Sequence, residues 1–168
     1  MELPSTLSRM YAYSDESNLK VLAAVVALSD EQLDRPIDIG PTPGSLRRIL
    51  IHTYNGERVW LSRQSGQPET KWPSETVKPS IAQLTTDFSA VADERNTWLA
   101  KLNPRQLDKF QPYRDSRGSL FHATLLDMIL QGLTHSTHHR AQSANAIRRL
   151  GGTAPELDYM YMHRQVAE

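Results

Sequence analysis

The chain of 168 residues contains no cysteine, which excludes a disulfide framework, a thiolate metal site and a cysteine nucleophile. It has no excess of either charge, since 19 basic residues balance 19 acidic ones. Nothing therefore steers it toward nucleic acid or an anionic membrane surface. Paired basics such as Arg47-Arg48 and Arg148-Arg149 read as solvated helix faces. Long apolar runs are missing too: the longest, from Val21 to Leu28, is too short to span a bilayer. The first five residues have neither a basic segment nor a long apolar one, so no signal peptide is expected. Strand patterns are scarce, no Gly-rich phosphate loop appears, and no serine sits in a nucleophile elbow. These absences predict one cytoplasmic domain over residues 1–168, large enough for a sizeable core and without a membrane or nucleic-acid partner.

What the chain has is helical periodicity. Residues 4–29 predict a first helix, with Pro4 in a first turn where its missing donor costs nothing. Leu7, Tyr11, Ser14, Asn18, Val21, Leu22, Val25 and Leu28 share one face. That stripe is polar in its middle, at Ser14 and Asn18. It reads either as a modest fault in an amphipathic helix or as a face turned to a polar pocket in the core. Residues 29–34 look like a short helical turn. Thr42 and Pro43 supply an N-cap and a first-turn proline for a second helix running to about Gln64 and ended by Gly66. Ser80 and Gln83 resemble a capping box that opens a third helix to about Leu102, and its stripe, Arg95 included, reads as mostly plain core. Residues 103–108 repeat the character of the earlier turn, a faint internal repeat. Residues 110–113 and 118–121 flank a small hairpin or loop. A fourth helix then runs from about Phe121 to Leu150 and ends at Gly151-Gly152. The tail around Leu157 to Met162 is expected to pack back over the helices. Four long helices predict an all-α fold, an antiparallel-type four-helix bundle with at least one long crossover connection.

The stretch from Gly132 to Gln142 holds three of the six histidines. On a helix, His135 and His139 lie one turn apart on one face, with Cβ atoms roughly 5–6 Å apart. His138 points about 100° away. Two imidazoles at i and i+4 offer a metal two nitrogen ligands, although the spacing alone equally fits exposed or core histidines. The same face reads Thr124, Met128, Gln131, His135, His139, Gln142 and Ala146, with apolar residues bracketing a polar centre. His52 sits on the apolar stripe of the second helix beside Ile49, Gly56 and Val59, and Gly56 leaves space one turn later. Bundle cores place metal sites where such polar patches face one another. His52, His135 and His139 would make a tri-histidine site with open positions, acceptable to zinc, nickel, iron or copper. Gln142, Gln131 and Asn18 are candidates to receive the second ring nitrogen of a ligand or to face a substrate. Ser136 follows His135, so the built-in glutamate of an HExxH metalloprotease is absent.

His135-Ser136-Thr137-His138-His139-Arg140-Ala141-Gln142, ending in Arg148-Arg149-Leu150-Gly151, resembles the C-terminal signature of the DinB/YfiT-like superfamily. Residues 46–52 resemble that family's second-helix histidine segment, residues 113–118 its hairpin before the last helix, and Leu157-Asp158-Tyr159 its tail. The resemblance covers nearly the whole chain, and its most specific part is HxxxHRxQ. It implies a four-helix bundle, often a homodimer, that binds a divalent metal (zinc, nickel or iron) through His52, His135 and His139. It further implies a metal-dependent transferase using a low-molecular-weight thiol such as bacillithiol or mycothiol, or a related isomerase. Other members are known only as damage-inducible proteins.

Three functions follow as expectations. The first is a thiol S-transferase, in which a metal would deprotonate the cosubstrate thiol. The lack of cysteine fits a sulfur that arrives with the cosubstrate. Gln142 and Asn18, with Tyr11 and Arg140, are the candidates to orient the electrophile. The second is a metal-dependent hydrolase, for which Glu57 is the only carboxylate near the histidine faces. The third is a non-catalytic metal-binding stress protein, recognised by a fourth protein ligand closing the site.

Overall fold

The computed structural model describes residues 3–39, 44–68 and 71–165. Four long helices dominate it: α1 (Leu3–Val25), α3 (Leu46–Gln64), α4 (Ile81–Leu99) and α5 (Leu125–Arg149). Two single-turn helices accompany them, α2 (Asp30–Asp34) and α6 (Tyr159–His163). Two strands, β1 (Phe110–Arg114) and β2 (Leu120–Thr124), pair antiparallel with Phe110 opposite Thr124 and Arg114 opposite Leu120. The architecture is therefore mostly helical, with one small hairpin ahead of the last long helix.

Local chemistry sets the ends. Helix α1 stops at Val25, short of residue 29, because Ser29 turns extended and caps α2. Its hydroxyl accepts from the Gln32 amide while the Gln32 side chain accepts from the Ser29 amide, a reciprocal box that satisfies two orphan donors. Asn103 and Gln106 build the same box on the short 3-10 turn Pro104–Gln106, so the two turns share a cap as well as a composition. Thr42 and Pro43 lie outside the described residues, and the N-cap of α3 is Ser45, which accepts from the Arg48 amide. Ser80 caps α4, but Gln83 turns its side chain to Asp87 instead of back to the cap, so only half of the expected box forms. Residues 121–124 belong to β2, and α5 begins at Leu125 under the Thr124 hydroxyl.

Packing runs α1 against α4 and α5, and α3 against α4 and α5, a ring of four. The bonds between helices show their directions. Tyr11 meets Ile129 and Asn18 meets Arg140, so α1 and α5 run the same way. Gln64 meets Met128 and Gly56 meets His135, so α3 opposes α5. Glu57 meets Arg95 and Tyr54 meets Phe88, so α3 and α4 also run the same way. The ring is thus not antiparallel throughout. Two successive parallel helices require the connection between them to travel back along the bundle. It leaves near the hairpin, where the Arg114 amide donates to Pro68 O, and returns to the start of α3, where Arg47 donates to Pro79 O.

The core has two apolar lobes. One gathers Val21, Leu22, Val25, Leu46, Ile49, Leu50, Leu84, Phe88 and Ile147; the other gathers Leu7, Tyr11, Leu99, Leu125, Ile129 and Leu133. Between them lies a buried polar network. Arg95, only 1% exposed, donates to both Glu57 and Asp15 and stacks over the Tyr11 ring. Glu57 also accepts from Ser136 and from Asn18. Arg140 donates to Ser14, Asn18 and Thr137. Buried charges persist only when paired and hydrogen-bonded in this way. The tail docks on α1 through Tyr13, whose hydroxyl donates to Leu157 O.

Candidate metal centre

His52 on α3 and His135 and His139 on α5 come together where these two antiparallel helices cross. One ligand atom from each lies within 4.8 Å of the others. The crossing is close because position 56 carries no side chain. A Cβ there would stand 2.5 Å from His135 Nδ1 and closer still to its Cε1, so the His135 ring occupies the space that glycine leaves.

Each ring has its own support. The connection between α3 and α4 lays Glu75 beside His52, with Oε1 2.7 Å from Nδ1. A carboxylate can only accept, so Nδ1 donates and Nε2 is the ring nitrogen left to face a metal. Trp72 donates its indole N–H to the same Glu75 oxygen and packs its ring on His52. Gln142 Oε1, 2.8 Å from His139 Nδ1, plays the corresponding part for the third ring. His135 Nδ1 is buried without a hydrogen-bond partner, a costly arrangement for a polar atom unless something coordinates it.

Burial, and after it the repulsion that a protonated His135 would meet from the neighbouring imidazoles of His139, His52 and His138, push His135 down to about 3. Burial, working against the Gln142 hydrogen bond, pushes His139 down to about 4. Both rings are neutral at physiological pH, the form in which imidazole binds metal. Three converging imidazoles, two with an outer acceptor and one orphaned, fit a divalent ion. Their donor set does not discriminate zinc from nickel or iron. His138 is exposed and stacks on His139 from outside; it is not in the group.

The site is open on one side. His52 and His135 form part of the wall of a cavity of about 980 Å³, while His139 sits deeper. The remaining wall includes Trp60, Trp72 and Tyr113, the cations Arg48 and Arg63, and Met128 and Gln131. The other candidates fall elsewhere. Asn18 is buried in the Glu57–Arg140 network and is not among the cavity residues. Tyr11 and Arg140 are equally enclosed in that interior. Glu57 is engaged by Arg95, Ser136 and Asn18, which removes it as a base for chemistry in the cavity. The polar middle of α1 therefore faces a structural charge network.

Glu75 and Trp72 went unread in the sequence because they lie in a proline-containing connection with no periodicity. Arg95 was legible in principle, since a single arginine on an apolar stripe demands a buried carboxylate partner.

The DinB family model matches residues 3–167. The chain belongs to the DinB family. Two solved structures share the fold of this DinB chain. A DinB-like protein from Bacillus cereus ATCC 10987 is 22% identical with a TM-score of 0.67, over 87% of this chain and 91% of that one. YfiT from Bacillus subtilis is 17% identical with a TM-score of 0.66, over 90% of each chain. YfiT is described as a probable metal-dependent hydrolase with an unusual four-helix bundle topology. At these identities the likeness establishes the fold. No curated protein matches the chain. No helix among the described residues is long and apolar enough to cross a membrane.

Proposed function

We propose that this DinB chain is a divalent-metal enzyme that activates a low-molecular-weight thiol for S-transfer to an electrophile, with His52, His135 and His139 as the metal ligands. The observation that carries the reading is the three-imidazole cluster opening onto a cavity of about 980 Å³, at the upper end of small-molecule sites and far larger than a water nucleophile needs. A divalent ion supplies Lewis-acid charge that lowers the pKa of a thiol or water bound at its open positions. The protein does the rest. Glu75 and Gln142 fix the tautomer and aim of His52 and His139. Gly56 admits His135. The faces of Trp60, Trp72 and Tyr113 offer an apolar wall for the electrophile. Gln131 and Gln142 are the candidate polar groups near the ligands.

Hydrolysis is the second reading, favoured by Glu75, a carboxylate that borders the histidines and lines the cavity, and by the description of YfiT. Against it, one Glu75 oxygen already holds both His52 and Trp72, which makes the residue an orienting group before it is a base. A homodimer in the cytoplasm completes the proposal. Sedimentation of the purified protein tests the dimer.

The deciding experiment loads the protein with zinc, nickel or iron and offers two panels, thiols with alkylating electrophiles and activated esters or amides without thiol. Metal-dependent thioether formation, lost in His52→Ala and His135→Ala, is the expected result. Hydrolysis without thiol consumption selects the second reading. Metal binding with neither activity selects a non-catalytic metal-binding protein.

A further inference from the structure

The cavity extends along α3. Arg63 lies eleven residues after His52, which on a helix is roughly 16 Å further along and only about 20° around. The two residues therefore share a face at opposite ends of the cavity, and both line it. Helical side chains lean toward the N-terminus, so the Arg63 head reaches back toward the histidines.

Arg63 is an unusual residue to find there. It is 4% exposed, and its guanidinium stacks on the rings of Trp60 and Tyr113, with centroids 4.9 Å and 5.4 Å away. Its Nη2 donates to Arg114 O, and its Nε is buried without a partner among the described residues. Among the described residues no carboxylate lies within ion-pair distance of it. The acids of the same cavity are committed elsewhere. Glu75 holds His52 and Trp72 and lies 4.0 Å from Arg48; Asp115 accepts from the Arg117 and Ser119 amides at Oδ1, and its charge reaches Arg63 only from beyond ion-pair distance; Asp127 accepts from Thr124. A buried guanidinium over two aromatic rings, with no carboxylate among the described residues at ion-pair distance, is preorganised for an anion.

We propose that Arg63 is the anion-recognition residue of this cavity, and that the substrate or cosubstrate is an elongated molecule carrying a carboxylate about three helical turns from the histidines. The proposal rests on the reading of the histidines as the reacting end. Trp60, one turn before Arg63, and Trp72 line the apolar path between the two ends.

Two titrations test it. In the metal-free protein, fluorescence of Trp60 and Trp72 is followed against octanoate and against octanol. Octanoate is expected to bind at least about tenfold more tightly, as a charge-assisted bond to a desolvated guanidinium should give. Arg63→Met keeps an unbranched apolar chain between the rings and should bring the ratio near one, while Arg63→Lys should keep part of it. Loosening of the hairpin weakens both ligands alike and leaves the ratio unchanged. Equal binding in the wild type, absence of binding, or a preference that survives Arg63→Met overturns the proposal. In the cobalt(II)-loaded protein, mercaptooctanoate and mercaptopropionate should both perturb the cobalt spectrum, with Arg63-dependent affinity for the long acid only. Arg63 dependence for neither acid, or for the short one, overturns the span. Failure to bind cobalt overturns the metal reading alone and leaves the octanoate result as the measure of Arg63.

Discussion

At the scale of single residues, the proposed metal centre depends on one missing side chain and on two acceptors behind the three histidines. Gly56→Ala drives a methyl into the His135 ring. Metal affinity, measured by chelator competition, should fall by about 10- to 100-fold, the range for disturbed ligand support, while helicity by circular dichroism stays unchanged. Glu75→Gln should weaken affinity by a similar factor, because it removes the charged acceptor that sets the His52 tautomer. Protons enter the same balance. His135 and His139 stand at about 3 and about 4, below the ordinary 6.5. A histidine whose folded value is depressed contributes stability above pH 6.5 that is lost as pH falls through the window down to the folded value. The metal-free protein should therefore lose stability to urea steadily from pH 6.5 toward 4, and His135→Gln should flatten that slope. A slope unchanged by the substitution would show that the ring is already protonated in the fold.

Between elements, the crossing of α3 and α5 is held in register by adjacent pairs. Gly56 receives His135, and the next residue on each helix, Glu57 and Ser136, bonds across the same gap. Ser136→Ala should cost roughly 1.5–3 kcal/mol, as for a hydrogen bond to a charged group. Glu57→Ala strips Arg95 of one of its two carboxylates and should cost about 3–5 kcal/mol. Urea unfolding of the metal-free protein measures both. The helices were readable because a buried stripe repeats along the chain, and the histidines because they ride on those stripes at i and i+4. Helix ends were less readable, since Thr42 with Pro43 offers the same cap chemistry as Ser45, and the apolar spacing of the first helix continues through Leu28 past its end at Val25. The polar centre of α1 was visible, but its partners Glu57, Arg95 and Arg140 sit on three other helices, and no local pattern announces such a meeting. Arg63 and Tyr113 meet through the hairpin in the same non-local way.

For the whole molecule, a metal held as proposed would tie α3 to α5 and bind only the folded chain. At a free concentration a hundredfold above its Kd it should add about 2.7 kcal/mol of stability, seen as a rise in Tm that disappears in a His52→Ala, His135→Ala double variant. An equal rise in that variant would place the ion elsewhere. The path of the chain carries a further consequence for biosynthesis. Because α1 lies beside α5, α1 finds one of its two neighbours only when α5 has been synthesised, and their bonds join residues up to 126 positions apart. Contacts of such sequence separation form late. His52 on α3 is likewise made long before His135 and His139 on α5. An ion held by all three histidines could be captured only once α5 has emerged, so loading would wait for both arms of the site.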